Sequence, residues 1–465
     1  MSAVARLRAA GLGPGQPLRV LSASGQLGYG IPEKAFRAGL ERQPHVMGCD
    51  MGSIDPGPYY LGAGKMATSD EITRRDLRLV LNGALSLGIP LLIGTAGSAG
   101  AGPHLDATLE LVRAIAAEDG LTFKLAVIRA DLPRDVLKAA AASGRTRPLG
   151  NIAEIDADTV DRASQIVGQM GVGAFLRALD EDPDVIIAGR ACDTAIFASV
   201  PIMLGYEPGA VLHMSKIIEC TSICCVPGGR DAMLGTLDGD GFTLESMNPA
   251  RAATPLSVAA HSLYEQSDPL SVYEPEGMLD LSDARYEAID ERRTRVSGAV
   301  WRKADQLTIK VEAAEWCGER AVLCAASCDP RVIEHSETII EEVRKTVSDI
   351  IPATAEEPYE LIFHVYGRGA VSIFPGAAKP SGAEEIFFLV ECIAATAVKA
   401  KAVAGVTKQF LLHHGFAGRL STGGNIAFPF TPPELDGGSA YRFSMYHLME
   451  TDDDAPLFPV SVETV

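Results

Sequence analysis

Three times in its first half the chain runs a short apolar stretch into a glycine-bearing turn and then into a helix-forming segment. Leu18–Ala23 leads to Gly25, Gly28 and Gly30; Pro90–Gly94 leads to Gly97, Gly100 and Gly102; Asp184–Ala188 leads to Gly189. Strand, glycine turn, helix is the unit of an open α/β sheet buried on both faces. In such sheets ligands bind beyond the carboxyl ends of the strands, at a topological switch point. Turns without side chains also let backbone N–H groups approach an anion closely. A small-molecule site among these turns is therefore expected.

The alternation persists to about Val226. Strands are expected at Leu18–Ala23, Val46–Cys49, Pro90–Gly94, Thr122–Arg129 and Asp184–Ala188. Helices are expected at Pro32–Arg42, Thr73–Leu87, Leu105–Ala117, Asp131–Ala142, Asp158–Met170, Gly173–Asp180 and Thr194–Leu204. From Gly228 the texture changes. Asp231–Leu244 reads as a hairpin, Ser271–Ser282 as an acidic connection, and Thr294–Gly298, Leu307–Val311, Ala321–Ala325 and Tyr359–Tyr366 as strands. Val332–Ile351 reads as a helix, and Glu384–Ala404 as strand then helix. The expectation is an α/β protein: an open, mostly parallel sheet in a Rossmann-like domain over 1–228, with an α+β domain over 229–465 packed on it and completing the site.

Composition limits the partners. The net charge of −19 argues against a nucleic-acid ligand, which needs clustered Lys and Arg. No apolar run is long enough to span a membrane, and residues 1–15 carry no signal-peptide core. Nine cysteines without a C-x-x-C pair exclude a zinc ribbon and a thioredoxin-like motif. They read as reduced thiols of a cytoplasmic protein; Cys192 and Cys220 lie nearest the candidate site.

Five constellations could carry chemistry. In Gly48–Gly62, Asp50, Ser53 and Asp55 follow a strand in a stiff Gly/Pro loop; the acids suit a general base or a metal ligand, or cap backbone N–H groups. In Gly94–Asp106, the residues Gly94, Thr95, Gly97, Ser98 and Gly100 could cradle a carboxylate or phosphate. Close helix-to-strand packing would need the same glycines. The loop has neither G-x-G-x-x-G nor G-K-[ST], so no nicotinamide or flavin is expected. In Gly189–Thr194, Arg190 could clamp a carboxylate with two hydrogen bonds, and Asp193 could act as an acid or cap a helix. Lys216 and Glu219, three apart on a helix, are a solvated pair or a base held by its partner. His261 and Glu265 share a helix face, and His261 with His104 could hold a divalent ion. Late in the chain His413, His414, Arg419 and Ser421–Asn425 form a further polar cluster.

These segments together resemble the acyclic terpene utilisation AtuA family. The resemblance rests on Cys49–Gly62, Gln169–Val172, Ala188–Ala198, Lys216–Cys220, Asp231–Thr236, Asn248–Glu265, Val365–Arg368, His413–Thr422 and Asn425–Glu434. It implies a setting in gene clusters that degrade citronellol- and geraniol-type terpenes through branched acyl-CoA intermediates. It also implies a small partner domain that would act in trans. It carries over no catalytic residues.

The leading expectation is an enzyme on a branched-chain carboxylate or its CoA thioester, with hydratase or lyase chemistry. Asp50, Asp55, Asp193 and Glu219 would move protons. Ser53, the glycine loop, Arg190 and Lys216 would bind substrate. The alternative is a non-catalytic subunit that binds an acyl-CoA or carboxylate for a small partner protein. The two differ in one respect: a binder needs Arg190 and the glycine loop, but not Asp50, Asp55 and Asp193 facing one pocket. A homo-oligomer is expected from size alone.

Overall fold

A computed structural model describes residues 1–264, 267–371, 382–419 and 426–465. The chain forms two compact units, Met1–Glu315 with Phe443–Val465, and Trp316–Arg442.

The first unit is built on a ten-stranded sheet. Its centre is five parallel strands in the order Leu18–Ser24, Val46–Asp50, Leu91–Gly94, Val185–Ala188, Lys124–Ile128. Both faces of these strands are buried, as their apolar runs require. Leu21, Met47, Ile93, Ile187 and Val127 enter one core, while Val20, Val46, Leu92, Ile186 and Ala126 enter the other. Helices cover both faces, and Asp70–Leu87 and Gly102–Asp119 each begin three residues before the expected starts at Thr73 and Leu105. Ser69 caps Asp70–Leu87 by accepting from the Ile72 N–H, and Gly88 ends it in the left-handed conformation at φ 65°.

The α/β expectation therefore holds, with the sheet parallel at its centre and antiparallel at both flanks. Met233–Asp238 pairs antiparallel to Leu18–Ser24 and continues through Gly241–Ser246, Thr294–Ser297 and Arg285–Ala288. Val460–Thr464 adds antiparallel to Lys124–Ile128 at the other edge. The expected hairpin near 231–244 thus belongs to the same sheet as the parallel strands.

Three local expectations are corrected. Asp158–Met170 is a short helix, Ala157–Arg162, followed by the strand Ala163–Gln169. That strand pairs with Lys310–Glu315, a partner that local periodicity does not reveal. Ser271–Ser282 is a hairpin of Ser271–Glu274 and Gly277–Asp280, joined by Val300–Lys303 into a three-stranded sheet. The two strands expected at Leu307–Val311 and Ala321–Ala325 are one, Leu307–Ser327.

In the second unit Tyr359–Tyr366, Ile386–Ala394 and Glu319–Ser327 form an antiparallel sheet. The helices Ser336–Ile350 and Ala397–His413 complete its core through Ile339, Val343, Val403 and Ala404, which pack with Leu323, Phe388 and Val390. Arg419 donates to the carbonyls of His414 and Leu412 there; Ser421–Asn425 lie outside the described residues. All nine cysteines are free. Among the described residues no helix is long and apolar enough to cross a membrane.

Candidate functional site

A cavity of about 560 Å³ opens in the first unit. It lies beyond the carboxyl ends of Leu18–Ser24 and Val46–Asp50, as α/β sites do. Asp50 is the last residue of its strand, and Gly25 and Gln26 follow theirs. Asp193 is the first residue of the helix Asp193–Met203. Glu219 caps the carboxyl end of the helix Pro208–Ile218. Ser257, Ala260 and His261 come from the helix Pro255–Ser262, whose start is fixed by reciprocal capping between Thr254 and Ser257. Ser53, Asp55, Cys220, Ile223 and Tyr264 complete the lining.

Four acids from three separate segments of the chain thus meet at one cavity, and their surroundings differ. Asp50 is 6% exposed, and burial raises its pKa well above the usual carboxylate range; Asp193 and Glu219 add to the effect, while Arg190 opposes it. Glu219 is 5% exposed and titrates at about 7. Burial is the main cause, Lys216 opposes it and Asp193 reinforces it. A position at the negative end of a helix dipole acts in the same direction. The Lys216 Nζ lies 2.9 Å from Glu219 Oε1, and the Cys220 thiol donates to Oε2 at 3.1 Å. That thiol is pushed far up by burial and then by Glu219, so it serves as a donor rather than a nucleophile.

Asp193 sits at the positive end of its helix, where negative charge is stabilised. The Arg190 guanidinium is 3.9 Å away. One Asp193 oxygen, Oδ1, is buried and accepts no hydrogen bond from a described residue. His261 is neutral at physiological pH: burial, and then Lys216, hold its pKa at about 4. Asp55 is exposed, and its N–H donates to Ser53 Oγ at 3.1 Å.

Several expected binding residues stand elsewhere. Arg190 does not line the cavity. It is 4% exposed and spends its fork on the fully buried Glu312, with Nε to Oε2 at 2.7 Å and Nη2 to Oε1 at 3.3 Å. Lys310 reaches the same carboxylate at 3.0 Å. Against the cost of burial, Arg190 and Lys310 together hold Glu312 below the usual carboxylate range. The role of substrate clamp is therefore withdrawn from Arg190. Lys216 likewise serves Glu219 rather than lining the cavity.

The glycine loop serves packing: four of its N–H groups are taken within the protein, and its glycines lie against neighbouring atoms. The N–H of Thr95 donates to Gly189 O, that of Gly97 to Met51 Sδ, that of Gly100 to Ala96 O and that of Gly102 to Asp131. Ser98 Oγ accepts from the Ala67 N–H at 3.0 Å. A Cβ on Gly94 would meet Ile196 Cδ1 at 2.4 Å, and one on Gly100 would meet the Arg190 nitrogen at 2.2 Å. The close approach of turn and strand is what demands glycine here.

The metal pair also fails. His104 is fully buried, with its Nε2 2.9 Å from Tyr60 O, and it is away from the cavity that His261 lines. Glu265 lies outside the described residues. Among those described, no group of three or more His, Cys, Asp and Glu is arranged to hold a metal ion.

Sequence reasoning did not single out Gln26, Ile223, Ser257 and Tyr264 as lining residues, although Gln26 lies in the first glycine turn and Ser257 and Tyr264 lie within Asn248–Glu265. It also missed Asp76. This fully buried carboxylate accepts from the N–H groups of Gly28, Gly30 and Ile31 at 3.1, 2.8 and 3.0 Å. It thereby fixes the turn that carries Gly25 and Gln26. An acidic residue followed by helix-forming sequence gives no hint of such a distant backbone partner.

Comparison with known proteins bears out the family resemblance. No curated protein and no solved structure matches the chain. A family model does match, over residues 81–225 and 238–426, a span that includes Asp193, Glu219 and His261. On that match over most of its length, the chain belongs to the acyclic terpene utilisation family, under the description "acyclic terpene utilisation family protein AtuA".

Proposed function

We propose that the chain is an acid–base enzyme of the hydratase or lyase kind, acting on a branched-chain acyl group presented as a neutral thioester. The observation that carries this reading is the meeting of Asp50, Asp193 and Glu219 at one cavity in unlike environments. A carboxyl kept neutral by burial can donate a proton while a neighbouring carboxylate accepts one. Asp193, at a helix N-terminus and facing Arg190, takes a proton from water. The hydroxyl then bonds to the β-carbon of an α,β-unsaturated thioester. Glu219 or Asp50, held protonated by burial, delivers a proton to the α-carbon. Gln26, Ser53, Ser257 and the neutral His261 provide hydrogen bonds for the thioester oxygen as negative charge develops there. The reverse sequence eliminates water.

Two further points support the reading. Asp50, Asp55 and Asp193 face one pocket while Arg190 and the glycine loop do not, which is the pattern expected of the enzyme and not of the binding subunit. The lining also carries four acids and no Lys or Arg among the described residues. A free carboxylate would meet repulsion there, whereas the acyl end of a thioester carries no charge. Of the two expected substrates, the thioester is the better fit.

The test is to incubate the purified chain with matched pairs of branched enoyl thioesters and free enoic acids. Loss of the conjugated ultraviolet absorbance would be followed. Turnover confined to thioesters is the expected result. Turnover of free acids, or of neither class, would overturn the proposal.

A further inference from the structure

A second, smaller groove opens beside the cavity and shares Gly25, Gln26, Cys220 and Ile223 with it. One ligand can therefore lie across both. The groove has a volume of about 70 Å³, room for a single phosphate-sized group, and its remaining wall includes Tyr29 and Arg230. Arg230 is exposed and forms no ion pair or hydrogen bond with a described residue.

Both walls are held in place. On one side Asp76 ties down Gly28, Gly30 and Ile31. On the other, the segment carrying Arg230 is fixed by Arg251, which donates to Pro227 O at 2.8 Å and Gly228 O at 2.6 Å and also pairs with Asp231. Ser222 Oγ accepts from the Asp231 N–H at 2.8 Å. Arg251 is thus committed to the fold, and Arg230 is the cation left to face the groove. An anion excluded from the acid-lined cavity finds its counter-charge there, and a guanidinium suits phosphate oxygens.

Resting on the proposed function, we infer that this groove holds a phosphate group of the substrate while its uncharged acyl end reaches the carboxylates. The substrate class is then an acyl group on a phosphorylated carrier arm.

The inference is tested by calorimetric titration of the whole chain with phosphopantetheine, unphosphorylated pantetheine and inorganic phosphate. Wild type, Arg230→Ala and Glu219→Gln would be compared. Wild type should prefer phosphopantetheine to pantetheine by at least about tenfold, the effect of one charged hydrogen-bonded contact. Arg230→Ala, an exposed change, should erase the preference, and Glu219→Gln should keep it. Equal preference in Arg230→Ala, or none in wild type, would overturn the assignment. So would inorganic phosphate binding as tightly as phosphopantetheine, which would leave a plain anion site. A preference that depends on Arg230 in a chain that turns over no thioester would retain the groove and remove the proposed reaction.

Discussion

Replacing Glu219 by Gln should change how stability depends on pH. The Glu219 carboxyl titrates at about 7 in the folded chain instead of the ordinary 4.5. Below the lower value it is protonated whether the chain is folded or not, and it costs nothing. Between the two values the folded chain keeps a proton that the unfolded chain has released, so wild-type stability falls as pH rises. Above the folded value the full cost of a buried anion remains. At about 1.4 kcal/mol for each pH unit separating the two values, that cost is about 3–4 kcal/mol. The residue is 5% exposed, so solvent does little to reduce it. Gln is neutral throughout. The stability of Glu219→Gln relative to wild type should therefore rise by about 3–4 kcal/mol between about pH 4.5 and pH 8, then level off. Urea denaturation across this range gives the difference directly. A difference that stays flat or falls with pH would refute the argument that burial, not Lys216, governs this carboxyl.

Three further outcomes follow from the packing. Arg190→Ala should destabilise the fold by about 3–5 kcal/mol, because it strips the bidentate partner from the buried Glu312; an unchanged melting temperature would return Arg190 to ligand binding. Gly100→Ala should cost more than about 1 kcal/mol, since the residue has φ 71° and its Cβ would strike the Arg190 backbone; denaturant titration checks this, and a neutral result would reopen the loop as a binding element. Asp76→Asn should cost about 1–3 kcal/mol by replacing an acceptor of buried N–H groups with a donor. Hydrogen exchange should quicken at Gly28, Gly30 and Ile31, and unchanged exchange there would contradict the clamp.

Much of this fold was legible because the central strands are buried on both faces, so short apolar runs bounded by glycine stand out. The strand Ala163–Gln169 was not, because its identity depends on pairing with residues about 150 positions away in the chain, at Lys310–Glu315. The acids of the site were legible from position. Asp50 ends a strand, Asp193 opens a helix and Glu219 closes one, and these are the places where an α/β chain turns toward a ligand. The binding roles were misread where one residue type serves two purposes. Arg190 has the fork that a substrate carboxylate would take, but Glu312 takes it, from a strand far along the chain. The glycines near Gly97 have the freedom an anion cradle needs, and they use it to admit Ile196, His104 and the Arg190 backbone.

Proton transfer by the buried carboxyl groups of this cavity to and from an acyl thioester is the proposed chemistry. Its most direct test is mass spectrometry of a branched enoyl thioester incubated in isotopically labelled water with wild type, Asp50→Asn and Glu219→Gln. Wild type should incorporate the labelled oxygen at the β-carbon. Each variant, still folded, should lose at least about 100-fold in rate, the usual contribution of a positioned acid or base. Labelling at wild-type rates in both variants, or no labelling by the wild-type chain, would contradict the account.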